Sequence, residues 1–165
     1  GAADSGDTSE SLFSTLPEGR TSAALAECVA LAGTAYGGLD LTHEILSVEH
    51  QRLGESLFVW GSSGLDAFAV CHCGAGTEAG EGACYVKFGA ARSPRAFERL
   101  LNAIENLARS RRLSRVIAGV NAGRRTAYGR LLQRGFQAVS HAVAMQRTAT
   151  AGYDGAEVLV IDDWR

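Results

Sequence analysis

Between Ala83 and Val120 the chain reads as strand, capped helix and strand in direct succession, and no other stretch restricts its possible folds so tightly. Ala83-Cys84-Tyr85-Val86-Lys87-Phe88 is β-prone, with Tyr85 and Lys87 on the face opposite Cys84, Val86 and Phe88. Ser93-Pro94 then supplies an N-cap hydroxyl followed by proline at the first helical position, where its missing N–H costs nothing. Phe97, Leu100, Leu101, Ile104, Leu107 and Ala108 recur at spacings of three and four, so a helix reaching about Arg111 presents one apolar stripe. Arg115 to Val120 is a short apolar run that reads as a buried strand. A crossover of this kind runs its two strands parallel, so the sheet containing them is not purely antiparallel.

The remaining segments fill in that sheet. Ser56 to Trp60, the turn Gly61-Ser62-Ser63-Gly64 and Leu65 to Cys73 form a hairpin, and the glycine-rich loop Gly74 to Gly82 extends it to a three-stranded meander. A helix from about Gly123 to Arg134 carries Ala127, Tyr128, Leu131 and Leu132 on one side, and Gly135 is placed to stop it. Phe136 to Arg147 and Ala156 to Ile161 are strand-like, Thr21 to Ala32 and Thr42 to Leu53 are amphipathic helices, and Ser11 to Leu16 is a candidate first strand. The expectation is an α/β fold of the α+β kind: a mixed, mainly antiparallel sheet of six to seven strands flanked by about four helices.

A length of 165 residues, 46% of them apolar, suits one domain over residues 12–165, with residues 1–11 as a flexible tail or linker. The chain opens on Gly1 and its only methionine is Met145, which leads us to expect a processed chain or a piece of a larger protein with a partner domain elsewhere. No run of about 18 apolar residues argues for a membrane span, and no leader is visible, so the expected location is the cytoplasm. Cys28, Cys71, Cys73 and Cys84 lie in apolar contexts without the paired spacing of a zinc site. On a strand Cys71 and Cys73 share one face and His72 takes the other, so we expect buried thiols and no metal.

Charge is unevenly distributed. Residues 1–90 hold Arg20, Arg52 and Lys87 against twelve acids, whereas residues 92–134 hold eleven arginines against Glu98 and Glu105. The arginine-rich stretch either faces an anion or is a set of solvated helix faces. A nucleic-acid partner is not expected, because the arginines have no interleaved exposed aromatics and the net charge is −2.

The element order and the wording of residues 83–136 resemble the Gcn5-related N-acetyltransferases. Three pieces carry the resemblance: the strand, loop and helix over Tyr85 to Leu101, the strand closed by Asn121, and the helix Ala127-Tyr128-Gly129-Arg130-Leu131-Leu132 running into Gly135-Phe136. The resemblance implies acetyl transfer from acetyl-coenzyme A to an amine. It assigns the cofactor to Phe88, Gly89, Arg92, Ser93, Arg95, Ala96 and Asn121, and makes Tyr128 the acid that protonates the departing thiolate. The general physics is that unpaired N–H groups at a helix start attract a diphosphate. The family's phosphate loop, however, reads Gln or Arg, two residues, Gly, one residue, Gly or Ala, and here Arg92 is followed by Arg95 and Phe97 at the two small positions, with Pro94 removing one donor. Either Arg92 and Arg95 replace the lost amides with guanidinium forks, or Phe97 has joined the core and the domain is a non-catalytic copy of the fold serving assembly or substrate capture. His72 and Glu81 are the candidate general bases by position, and the acceptor and any second copy of the chain stay open.

Overall fold

The computed structural model describes residues 9–143 and 155–162. Its elements are β1 (Glu10–Leu12), a 3-10 turn (Phe13–Thr15), α1 (Glu18–Ala35), α2 (Thr42–His50), β2 (Gly54–Gly61), β3 (Gly64–Cys73), β4 (Ala83–Ala91), α3 (Pro94–Ser110), β5 (Arg115–Ala118), α4 (Arg125–Gln133) and β6 (Val160–Asp162). The strands form one six-stranded mixed sheet in the order β1-β2-β3-β4-β5, with β6 laid against β4. The first four strands pair antiparallel, and β4 and β5 run parallel, as the strand-helix-strand unit requires.

The decisive irregularity lies in β4. Cys71 faces Val86 and Val70 faces Phe88, so Lys87 is an extra residue in β4, a bulge that bends the strand. Before the bulge Ala83–Val86 pair with β5; beyond it Phe88–Ala90 pair antiparallel with Val160–Asp162. The sheet therefore divides at Lys87, with β5 on one side of the split and β6 inserted on the other.

Apolar residues bury on both faces of the central strands. Leu57, Val59, Ala69 and Val86 pack beneath the stripe of α3, and Phe58, Phe68, Val70 and Phe88 pack beneath Leu31 of α1 and Ile45 and Val48 of α2. Helix α3 is capped as its sequence requires, with the Ser93 hydroxyl accepting from the Ala96 N–H at 3.2 Å. At the far end of α4, Gly135 takes φ of 90°, and the bonds Gly135 N–H to Leu132 and Phe136 N–H to Leu131 close the helix. Gly54 is fixed for another reason: a Cβ there would stand 1.9 Å from the Cys71 carbonyl oxygen.

Four expectations are corrected. Phe136–Val143 is not a strand: Val139 and Val143 are exposed, small Ala138 and Ala142 give the alternation little to bury, and no strand of the described residues runs beside it. Ala144 to Arg147, the rest of that expected strand, lie outside the described residues. The last strand starts at Val160 rather than Ala156, because the Val158 N–H turns back to Gly155 at 3.0 Å. Helix α2 stops at His50, where Arg52 adopts φ of 54° and the Leu53 N–H returns to Val48. The first strand begins at Glu10, inside the expected tail, of which residues 1–8 lie outside the described residues.

The Phe97 ring is fully buried in the α3 core, so Phe97→Ala is expected to lower unfolding free energy by about 3–5 kcal/mol in urea titration, whereas substitution of a phosphate-facing residue would cost well under 1 kcal/mol.

Candidate functional site

The residues assigned to a cofactor lie along the second half of β4 and the start of α3. Phe88 is buried toward α1 with its ring centroid 5.7 Å from that of Phe68. Gly89 lies against α3, where a Cβ would meet Leu100 at 3.5 Å. Arg92 uses its Nε to donate to the Leu65 carbonyl at 2.8 Å. Of the first helical donors, Pro94 has no N–H, that of Ala96 is taken by the Ser93 hydroxyl and that of Phe97 by the Ser93 carbonyl. The Arg95 side chain is exposed, and Ala96 is buried. One donor at this helix start is thus missing and two are already engaged, and Phe97 fills the core behind them.

The edge of β4 beyond its bulge is engaged as well. The Ala91 N–H donates to Leu159 at 3.0 Å, and on the other side of the inserted strand the Asp162 N–H donates to Gly119, just past β5, at 3.0 Å. An extended amide-bearing ligand entering the split would need these same positions. Asn121 makes a local turn, its Oδ1 accepting from the Gly123 N–H at 2.8 Å and its carbonyl from Arg124. Tyr128 is half-buried on α4, and its hydroxyl makes no hydrogen bond among the described residues.

The inserted strand is held by Arg124, which is 0% exposed. Its Nη1 donates to Asp162 Oδ2 at 2.9 Å and to the Val160 carbonyl at 3.4 Å, and its Nη2 donates to the Tyr36 hydroxyl, which in turn donates to Asp162. The guanidinium carbon also lies 5.4 Å from the centroid of the Tyr36 ring. One buried cation therefore joins the end of α1, the start of α4 and β6. Burial pulls against the charge of Arg124, but the bond and charge of Asp162 outweigh it and its pKa goes up. Burial, reinforced by the bond to Asp162, pushes the Tyr36 hydroxyl up to about 12.

On the α2 face, where the sheet splits, sits a polar group. His72, 3% exposed, has Nε2 at 3.6 Å from Glu44 Oε1 and Nδ1 at 4.0 Å from Glu78 Oε1, and neither nitrogen has a hydrogen-bond partner among the described residues. Lys87 lies between the same carboxylates, at 2.5 Å from Glu78 and 3.4 Å from Glu44. The Tyr85 ring meets His72 edge-on. Burial holds His72 below the usual histidine range, opposed by the charge of Glu78. Glu81, the other candidate base, is exposed in the loop, and its carbonyl accepts from Arg115 at 3.4 Å.

Most of the arginine-rich stretch is engaged in internal bonding, while Arg95, Arg112 and Arg125 are exposed. Arg99 donates to the Trp60 carbonyl and Arg111 to that of Gly54. Arg130 and Arg134 of α4 bond Glu98 of α3, and Arg134 also bonds Glu105, so the two helices are clamped by charge. The sequence reading missed Arg124, Asp162 and Tyr36 because nothing local separates Arg124 from Arg125 or Asp162 from Asp163.

No family model matches the chain and no curated protein matches it in sequence. Solved structures do match. A transcriptional regulator from Bacillus halodurans superposes with a TM-score of 0.65 at 12% identity, over 84% of this chain and 99% of its own. An aminoglycoside 6'-N-acetyltransferase from Acinetobacter baumannii gives 0.59 at 12% identity, over 87% and 99%. An aminoglycoside N-acetyltransferase solved in complex with CoA gives 0.58 at 11% identity, over 86% and 97%. The fold is that of the Gcn5-related N-acetyltransferases. Among the described residues no helix is long and apolar enough to cross a membrane.

Two outcomes follow from this geometry. Asp162→Ala removes the carboxylate that the buried guanidinium bonds and should cost about 3–5 kcal/mol, whereas the double change Arg124→Met with Asp162→Leu should recover most of it; equal losses in urea titration would contradict the pairing. Because the folded chain binds a proton at His72 less readily than the unfolded chain, stability should fall as pH drops from about 7.5 to about 5.5. The loss should be smaller in His72→Phe and larger in Glu44→Gln, since Glu44 favours the protonated ring.

Proposed function

We propose that this chain is a non-catalytic domain with the acetyltransferase fold, serving assembly or substrate capture rather than acetyl transfer. The observation that carries the reading is the occupation of β4 beyond Lys87 by the chain's own Val160–Asp162. Three further features support it. Phe97 is buried where the family keeps a small residue, Pro94 and Ser93 leave little free N–H at the start of α3, and Arg92 is bonded to Leu65. Acetyl-coenzyme A would supply the acyl group in this fold, but these residues do not fit its pantetheine arm or its diphosphate. An exposed Arg95 does not replace the lost cradle, because a single guanidinium on solvent lacks the converging amides.

The alternative, acetyl transfer to an amine-bearing acceptor, is favoured by one observation: the Tyr128 hydroxyl makes no hydrogen bond among the described residues, which leaves it available to a bound group. It needs the cofactor and therefore stands or falls with binding. Millimolar coenzyme A should leave the melting temperature of the full chain unmoved. A ligand present at about 100 times its Kd would add about 2.7 kcal/mol, a shift of several degrees, and such a shift would overturn the non-catalytic reading. If it appears, Tyr128→Phe should then lower turnover about 100-fold or more without weakening coenzyme binding.

A further inference from the structure

Cys73 and Cys84 face each other across β3 and β4, with their sulfur atoms 3.9 Å apart. Two neighbouring bonds establish the kind of pair they form. The Cys73 N–H points away from β4 and donates to Leu53 at 2.8 Å, while the next residue, Gly74, donates to Ala83 at 2.9 Å. Bonds alternate along an antiparallel ladder, so Cys73 and Cys84 are a non-hydrogen-bonded pair, the kind whose Cα atoms come within about 4.5 Å. A disulfide accepts Cα separations of about 4.4–6.8 Å, so side-chain rotation alone brings the sulfurs together. Cys71 shares their face, but its register partner is Val86, which leaves it only diagonal to Cys84.

We infer that Cys73 and Cys84 are a redox-sensitive pair that closes to a disulfide and staples the base of the Gly74–Gly82 loop. Cys73 is half-exposed and Cys84 buried, so an oxidant reaches Cys73 first. With a small disulfide such as oxidised glutathione, the Cys73 thiolate attacks one sulfur and releases one glutathione thiol. Cys84 then loses its proton, attacks Cys73 Sγ and releases the second. The protein gives up two protons and two electrons, and one glutathione disulfide becomes two thiols. The hydrogen bond between the pair, with burial, pushes the Cys73 thiol up; the neighbouring Cys71 and burial push the Cys84 thiol up, against the pull of its contact with Cys73 and of the Arg111 charge. The reaction is therefore limited by thiolate and quickens with pH. The stapled loop carries Glu78, which bonds Lys87 and stands beside His72, so oxidation tightens the cover over that polar group.

The test incubates the native full chain with excess oxidised glutathione, blocks remaining thiols and maps peptides by mass spectrometry. The expected product is a Cys73–Cys84 crosslink forming about tenfold faster per unit of pH between about 7 and 9, lost in Cys73→Ser and retained in Cys28→Ser. Amide exchange over residues 74–82 should slow in the oxidised chain. Glutathione remaining on Cys73 as the end product, a Cys71–Cys84 crosslink instead, or oxidation only in denaturant would overturn the pair. A crosslink that leaves loop exchange unchanged would overturn the staple.

Discussion

The contact between Arg124 and Asp162 holds the split half of the sheet in place. A three-residue strand such as Val160–Asp162 has too few ladder bonds to secure itself. What fixes it is a fully buried guanidinium that bonds its carboxylate and the Val160 carbonyl while resting on Tyr36. A buried ion pair of this sort adds little net stability over an apolar substitute, because desolvation offsets most of the attraction. It does impose register, since only one alignment of β6 brings the carboxylate to the cation.

That register decides how the split in the sheet is used. The bulge at Lys87 turns β4 away from β5 and would leave an open edge, which is a hazard in any sheet. Here the chain covers the edge itself. In the non-catalytic reading we propose, the strand that protects the edge also fills the slot that a cofactor arm would need. On the α2 face of the sheet, the polar group around His72 is covered by α2 and the Gly74–Gly82 loop.

The sequence made the scaffold legible wherever local chemistry dictates structure. Ser93-Pro94 and the stripe from Phe97 to Ala108 gave α3 to within a residue of its ends, and Gly135 stopped α4 as expected. The placement of Phe97 in the core could be read from its spacing alone. Partner choice was not legible. Eleven arginines in a short span look like an anion-binding face, yet most bond carbonyls and carboxylates brought near only by the fold, as Arg111 does with Gly54 across 57 positions. Phe136 to Val143 alternates like a strand but has no neighbour among the described residues, since β6 lies against β4 instead. Periodicity reports which face of an element is apolar; it carries no information about which edge it joins.

Strand β6 occupies the split as a firmly held part of the native sheet. Native-state amide exchange resolves it directly, at Ile161 and Asp162 compared with Val70 in the middle of β3. The β6 amides should be protected to within about tenfold of those in β3, and Asp162→Asn should lower protection in β6 more than in β3. Exchange of the β6 amides at rates close to those of an unfolded chain, with β3 still protected, would mean the split is open in solution and the account is wrong.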